Sequence, residues 1–268
     1  MAIHPTAIVD RRAELDRGVE VGAYAIIEAD ARIGAGARLW PHAYVARYTT
    51  LGARCQVHPF AVVGHLPQDA KYRDAPSYAE IGDDTVIREH ATIHRGTEPE
   101  SRTIVGARCL LMSTAHVAHN CVVADDVVMA NSALLAGHAR VGPRAFLSGN
   151  CAVHQFTRIG ELAMVSGGAT VVGDVPPFVT VIGRAVVGLN VIGMRRAGVS
   201  AAERDEIRRA FQTLYRGHHA WRRAVAEVTA RCQTAAGRRL AEFLRVPARR
   251  GFLRGMRPYG EPDAGESA

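Results

Sequence analysis

Between Ile3 and Val63 an aliphatic side chain falls on every sixth position: Ile3, Val9, Leu15, Val21, Ile27, Ile33, Leu39, Val45, Leu51, Val57 and Val63. The beat returns at Ile81, Ile87 and Ile93, then runs from Val105 to Val171 through Leu111, Val117, Met129, Leu147 and Ile159. Four residues after the beat the side chain is nearly always small, as at Ala25, Ala31, Ala61, Ala91, Ala115, Ala133, Ala139 and Ala163. An α-helix needs apolar spacings of three and four and a simple strand needs two, so a period of six fits neither. It fits a parallel β-helix in which each hexad is one short strand plus a corner and three hexads close a triangular coil. The large aliphatic fills the axis, and the small residue lets the chain turn. Glycines one place after the beat, such as Gly22, Gly34, Gly52, Gly82, Gly106, Gly142 and Gly160, are expected at corners that take positive φ.

The beat breaks twice, over 64–80 (GHLPQDAKYRDAPSYAE) and 94–104 (HRGTEPESRTI), and returns in phase both times. Polar, Pro-containing interruptions of a solenoid read as loops thrown outward, where function concentrates. After Pro176 and Pro177 the repeat fades. Ser200 followed by Glu203 is a capping-box signal, and Ile207, Phe211 and Leu214 then take helical spacing, as do Trp221, Val225 and Val228, then Leu240, Phe243 and Leu244. The expected organisation is therefore a β-helix over 1–183 of about nine to ten coils, a C-terminal segment with a small helical domain over 184–246, and a mobile tail over 247–268.

With 48% apolar residues, the chain can bury a long core without disulfides or metals. Cys55, Cys109, Cys121 and Cys151 fall on the small-residue beat and show no CxxC spacing, which reads as core packing in a reducing compartment. No charged-then-apolar leader and no long apolar run is evident, so the expectation is a cytoplasmic protein without stable membrane insertion. The net charge is +7, carried almost wholly by arginine, with Lys71 as the only lysine. A basic balance favours polyanionic partners, and with no aromatic-interleaved basic motif it points to nucleotide phosphates or an acidic carrier protein rather than nucleic acid.

His116, His119, His138 and His154 cluster in the second run, at steps close to one coil, and are expected to stack along one edge. Three readings compete for them. They are corner histidines bonded to backbone carbonyls, or a zinc site built between subunits, or they include a general base that takes a proton from a substrate hydroxyl. The third is preferred, because the spacings do not suit a ligand set; no metal is expected.

QDAKY (68–72), IREHATIHRGT (87–97), AHVAHNC (115–121), AGH (136–138), AVHQF (152–156), DVPPFV (174–179) and NVIGMRRAG (190–198) run in order along the chain. Together they resemble the acyl-carrier-protein-dependent UDP-N-acetylglucosamine O-acyltransferases of lipid A biosynthesis. The resemblance implies an all-β, left-handed parallel β-helix of hexapeptide repeats with a small C-terminal α-helical domain. It implies transfer of a 3-hydroxyacyl group from acyl carrier protein to the glucosamine 3-hydroxyl of UDP-N-acetylglucosamine. No resident cofactor is needed, since phosphopantetheine arrives on the carrier. His119 matches the base, and the backbone N–H of Gly137 matches the oxyanion donor. His116 and His138 line the cleft. Gln155 contacts the acyl chain or sugar, and His154 the nucleotide. Gln68, Asp69 and Lys71 fall in the matched loop, with Asp69 and Lys71 at positions that touch sugar and phosphate across a subunit boundary, while Asn190, Arg195 and Arg196 match the segment that binds nucleotide or phosphopantetheine.

Two positions depart from the family pattern. Asn120 stands where an aspartate often follows the base, so the contact orienting His119 must come from an amide or carbonyl oxygen. Ile192 stands where an acidic residue is common in the nucleotide segment. Gly167 matches the position that sets acyl length, with Met164 beside it, and a medium to long chain is expected. The resemblance further implies a homotrimer with clefts between subunits. A related enzyme acting on the 3-amino analogue of the sugar, or a zinc-dependent β-helical hydratase, stays open as an alternative.

Overall fold

The computed structural model describes residues 2–217 and 220–255. From Ala2 onward, short strands follow one another, mostly at six-residue intervals, and are shared among three sheets of eleven, nine and eight strands, parallel except for the last strand of the first. Partners lie one coil apart: Gln56 pairs with Arg38, and Val57 with Leu39. The large residue of each hexad points inward, and Ile27, Ile33, Leu39, Leu51, Ile87, Leu111, Leu135 and Leu147 are all fully buried. Each such burial contributes roughly 1.5–3 kcal/mol. The small-residue beat, including Ala25, Cys55, Ala91 and Cys121, is buried as well.

The two polar segments leave the column without breaking it. Across the first, the pairing step lengthens so that Gln56 also pairs with Val86; across the second, Val86 pairs with Leu110.

The glycines after the beat have a different reason from the one expected. Gly22, Gly34 and Gly160 are not among the positive-φ residues. A Cβ on Gly22 would stand 2.6 Å from Pro41 N, and one on Gly34 2.7 Å from Ala53 N, both in the next coil. They are needed for close approach between coils. Positive φ falls two positions later, on Asp30, His42, Tyr48, Asn120, His138 and others, at about +60°. The corner imposes this conformation on whatever residue occupies it.

The parallel stack ends in a hairpin. Val179–Ile182 pairs in parallel with Met164–Val165, and Ala185–Leu189 then returns antiparallel to it, so the sheet runs past 183. Four helices follow: α1 (Val191–Arg196), α2 (Ala201–Tyr215), α3 (Trp221–Arg231) and α4 (Ala235–Arg245). Ser200 and Glu203 form the capping box of α2. Ile207, Leu214, Val228, Leu240 and Leu244 make a second core with Phe178 and Leu162, which joins the helices to the column. Among the described residues no helix is long and apolar enough to cross a membrane.

Of the segment from 247 expected as a tail, residues up to 255 fold back on the column. Leu253 is buried, its N–H donates to Asp174 O (2.8 Å), and Asp174 N–H donates to Gly251 O (2.9 Å). Residues 256–268 lie outside the described residues.

Candidate active site

One corner of the column carries His119, Gly137 and Gln155 in one row and Asn120, His138 and Phe156 in the next. Coil-to-coil bonds set their spacing: His138 N–H donates to His119 O, and Phe156 N–H to Gly137 O. Position 137 must be glycine for want of space, because a Cβ there would stand 2.6 Å from Cε1 and Nε2 of His119. The imidazole therefore fills the space that a side chain at 137 would take.

The tautomer of His119 follows from its neighbour. Asn120 Oδ1 accepts the backbone N–H of Thr97 at 3.0 Å, which fixes the end of the amide that faces inward. The same oxygen lies 2.9 Å from His119 Nδ1, so Nδ1 carries the hydrogen and Nε2 is the free basic nitrogen. Asn120 is itself anchored, its N–H donating to Thr103 Oγ1, and its left-handed backbone suits an asparagine. Nε2 faces the outward loop, with Asp69 Oδ2 3.7 Å away.

Around this nitrogen opens a cleft of about 1160 Å³, lined by Gln68, Asp69, Lys71, His119, Asn120, His138 and Gln155 among the expected residues. Thr97, Glu98, Arg73, Arg140, Phe156 and Arg249 line it too. His138 stands edge-on to His119 (5.3 Å between centroids), stacks on Phe156 (4.7 Å), and Arg249 covers Phe156 at 3.7 Å. Burial lowers the pKa of His138, Glu98 opposes that, and the charges of His119 and Arg249 add to the lowering.

The expected ladder is thus corrected at its end. One coil beyond His138 is Phe156, not His154, whose Nδ1 sits 3.3 Å from Gln155 O outside the cleft lining. His116 lies on the adjoining face, its Nδ1 2.7 Å from Thr92 Oγ1 and its ring edge-on to His94. Burial, then the His119 charge, lowers its pKa. Among the described residues, no three of His, Cys, Asp and Glu gather as a metal-ligand set.

Asn190, Arg196 and Met164 meet elsewhere, around a depression of about 500 Å³ with Arg144, Phe146, Leu162 and the exposed Ile192. Arg195 is not part of its lining. Both polar atoms of the Asn190 amide are engaged within the chain: Oδ1 accepts Gly193 N–H as the cap of α1, and Nδ2 donates to Leu162 O. Gly167 stacks over Gly149 on a third corner.

Phe156 was reachable from the sequence by counting one coil from His138. Arg249 was not, since it reaches the cleft only because the C-terminal segment folds back.

A hexad column with a basic imidazole on one corner and helices packed on its end defines a hexapeptide-repeat protein of the left-handed β-helix class. A family model described as "Udp N-acetylglucosamine O-acyltransferase; Domain 2" matches residues 174–253. The acyl-[acyl-carrier-protein]–UDP-N-acetylglucosamine O-acyltransferase of Syntrophobacter fumaroxidans is 43% identical over 95% of this chain and 100% of its own. That of Gloeothece citriformis is 44% identical over 77% of each. The solved structure of LpxA from Acinetobacter baumannii superposes with a TM-score of 0.90 at 33% identity, covering 95% of this chain and 100% of that one. The chain belongs to the acyl-[acyl-carrier-protein]–UDP-N-acetylglucosamine O-acyltransferase family.

Proposed function

We propose that the protein transfers a 3-hydroxyacyl group from the thioester of acyl carrier protein to the glucosamine 3-hydroxyl of UDP-N-acetylglucosamine, the first step of lipid A biosynthesis, with His119 as general base. The observation that carries the mechanism is the 2.9 Å contact between His119 Nδ1 and the Asn120 amide oxygen, which assigns the hydrogen to Nδ1 and leaves Nε2 basic beside Asp69. Nε2 takes the hydroxyl proton as the sugar oxygen bonds to the thioester carbon. The carbonyl oxygen becomes an oxyanion, toward which the Gly137 N–H donates. Collapse breaks the carbon–sulfur bond, and the departing sulfur recovers the proton from the imidazolium. The products are the sugar ester and the carrier thiol, and His119 is neutral again.

Around this step the other residues hold substrate. Asp69, close to Nε2, offsets the positive charge the ring gains, and with Gln68 and Lys71 it meets the sugar and its phosphates. His138 and His116 hold the sugar or the acyl hydroxyl, both kept toward the neutral form by burial. Gln155 contacts the acyl chain or sugar, and His154 the nucleotide. No resident cofactor enters this reading, because phosphopantetheine arrives on the carrier. The relatives' names favour a hydroxyl acceptor over the 3-amino sugar, and acyl transfer over zinc hydration. The reading keeps the enzyme in the cytoplasm, where a soluble carrier and a nucleotide sugar meet.

The residues read as the other half of the site, Asn190, Arg195, Arg196, Met164 and Gly167, lie away from the His119 cleft. A homotrimer resolves the separation by setting the His119 corner of one copy against the Met164 face of the next, a contact that closes by three-fold rotation. Leu134, on the face that carries His116, and Phe146, beside Met164, are exposed apolar side chains that such a contact would cover.

Mass spectrometry of the product made from UDP-N-acetylglucosamine and a mixture of acyl-carrier donors tests the reaction. His119→Ala should lower the rate by at least about a hundredfold; activity near that of the wild type removes His119 as the base.

A further inference from the structure

Arg95 follows the strand Thr92–His94 and is only 3% exposed. Its backbone N–H donates to His65 O. Its guanidinium lies against two rings, 5.6 Å from the centroid of Tyr48 and 5.8 Å from that of Tyr72. Nη2 donates to the Tyr72 hydroxyl at 2.8 Å, and Nε has no hydrogen-bond partner among the described residues. No carboxylate among the described residues lies within ion-pair distance of it. Against the opposing effect of burial, its charge helps hold the nearby Glu28 carboxyl below the usual range, but no direct ion pair is made, so hydrogen bonding to the phenol is what fixes the guanidinium.

What the guanidinium does hold is the outward loop. Tyr72 passes the contact on, its hydroxyl donating to Ala75 O at 3.1 Å. Its backbone N–H donates to Asp69 O at 3.0 Å, and the Lys71 N–H donates to Asp69 Oδ1 at 2.9 Å, so residues 69–72 form one tight turn. With Oδ1 used in the turn, Asp69 Oδ2 is the oxygen left near His119 Nε2. A continuous chain of bonds therefore runs from the wall of the column through a phenol to the carboxylate beside the base.

We infer that Arg95 is a positioning residue: through the Tyr72 hydroxyl it holds the 69–72 turn over His119 and so sets where Asp69 and Lys71 meet the nucleotide sugar. The assignment rests on the reading of this cleft as the sugar site. Tyr72→Phe removes only the hydroxyl from a surface loop, which leaves the core intact.

Two readouts on the full-length protein test it. Trypsin cleavage after Lys71 and Arg73, followed by mass spectrometry, reports the anchor without reference to activity, and should quicken several-fold in Tyr72→Phe. In acyl transfer, Tyr72→Phe should raise KM for UDP-N-acetylglucosamine roughly tenfold, the effect of losing one charge-assisted hydrogen bond, with KM for the acyl carrier unchanged. On an Asp69→Ala background the same change should add less than about twofold, because its effect runs through the turn. Arg95→Lys, which keeps a cationic donor, should recover part of what Arg95→Met loses. Unchanged cleavage overturns the anchor. Faster cleavage with unchanged KM, or effects that multiply in the double variant, overturns the positioning role. A wild-type protein with no transfer activity removes the functional reading itself, and the cleavage result still reports the anchor.

Discussion

At Asn120 a single amide oxygen serves two donors, the Thr97 N–H and the His119 Nδ1–H. An aspartate would accept both equally well, so the departure from the family pattern preserves the geometry and removes only a charge. Asn120→Asp should keep kcat within about threefold, whereas Asn120→Leu, which strands both donors, should lower it at least about tenfold; kcat measured for the two variants decides. His94 shows a different residue-scale effect. Burial, with the nearby charges of His116, His65 and His119, pushes its pKa down to about 4. An unfolded histidine binds its proton near pH 6.5, so between there and pH 4 the unfolded chain holds more protons than the folded one. Stability is therefore full above about pH 6.5 and falls as the solution is acidified through that window, by up to about 3 kcal/mol. Denaturant midpoints measured across this range should drop, and the drop should be shallower in His94→Gln.

Among elements, the period of six was legible because the column has a single inward position per hexad, and Ile27, Leu39 and Leu111 had no other place to go. Corner chemistry was not legible, because positive φ is imposed by closure of the coil and falls on Tyr48, Arg108 and Leu162 as readily as on glycine. The expected site was readable on the repeat, where His119, Gly137, His138 and Gln155 share one corner, and in the first outward loop, whose Gln68, Asp69 and Lys71 line the same cleft. Arg249 was beyond reach because its segment returns from afar, and the stacking expected of His154 was misread because a near-coil step mimicked a true one. Gly167, the position the family resemblance links to acyl length, stacks over Gly149 one coil below. Gly167→Met should shift the preferred donor toward shorter chains in a length series of acyl carriers, and equal rates on short and long donors in both proteins would remove the assignment.

For the whole molecule, the distance between the His119 cleft and the Asn190 depression carries the expectation of assembly. Sedimentation should give the mass of three chains. Phe146→Glu, which places a charge on the exposed apolar face, should yield single chains that stay folded and lose transfer. A monomeric wild type with full activity would remove the shared site. The return strand Ala185–Leu189 has a consequence of its own. A ladder of parallel strands offers a bare edge on which any passing strand can add, the geometry from which fibrils grow. Here that edge is turned back on itself, and Val186 is bonded in turn to Arg254. Loss of the reversed strand would leave this edge of the sheet open to addition by another strand.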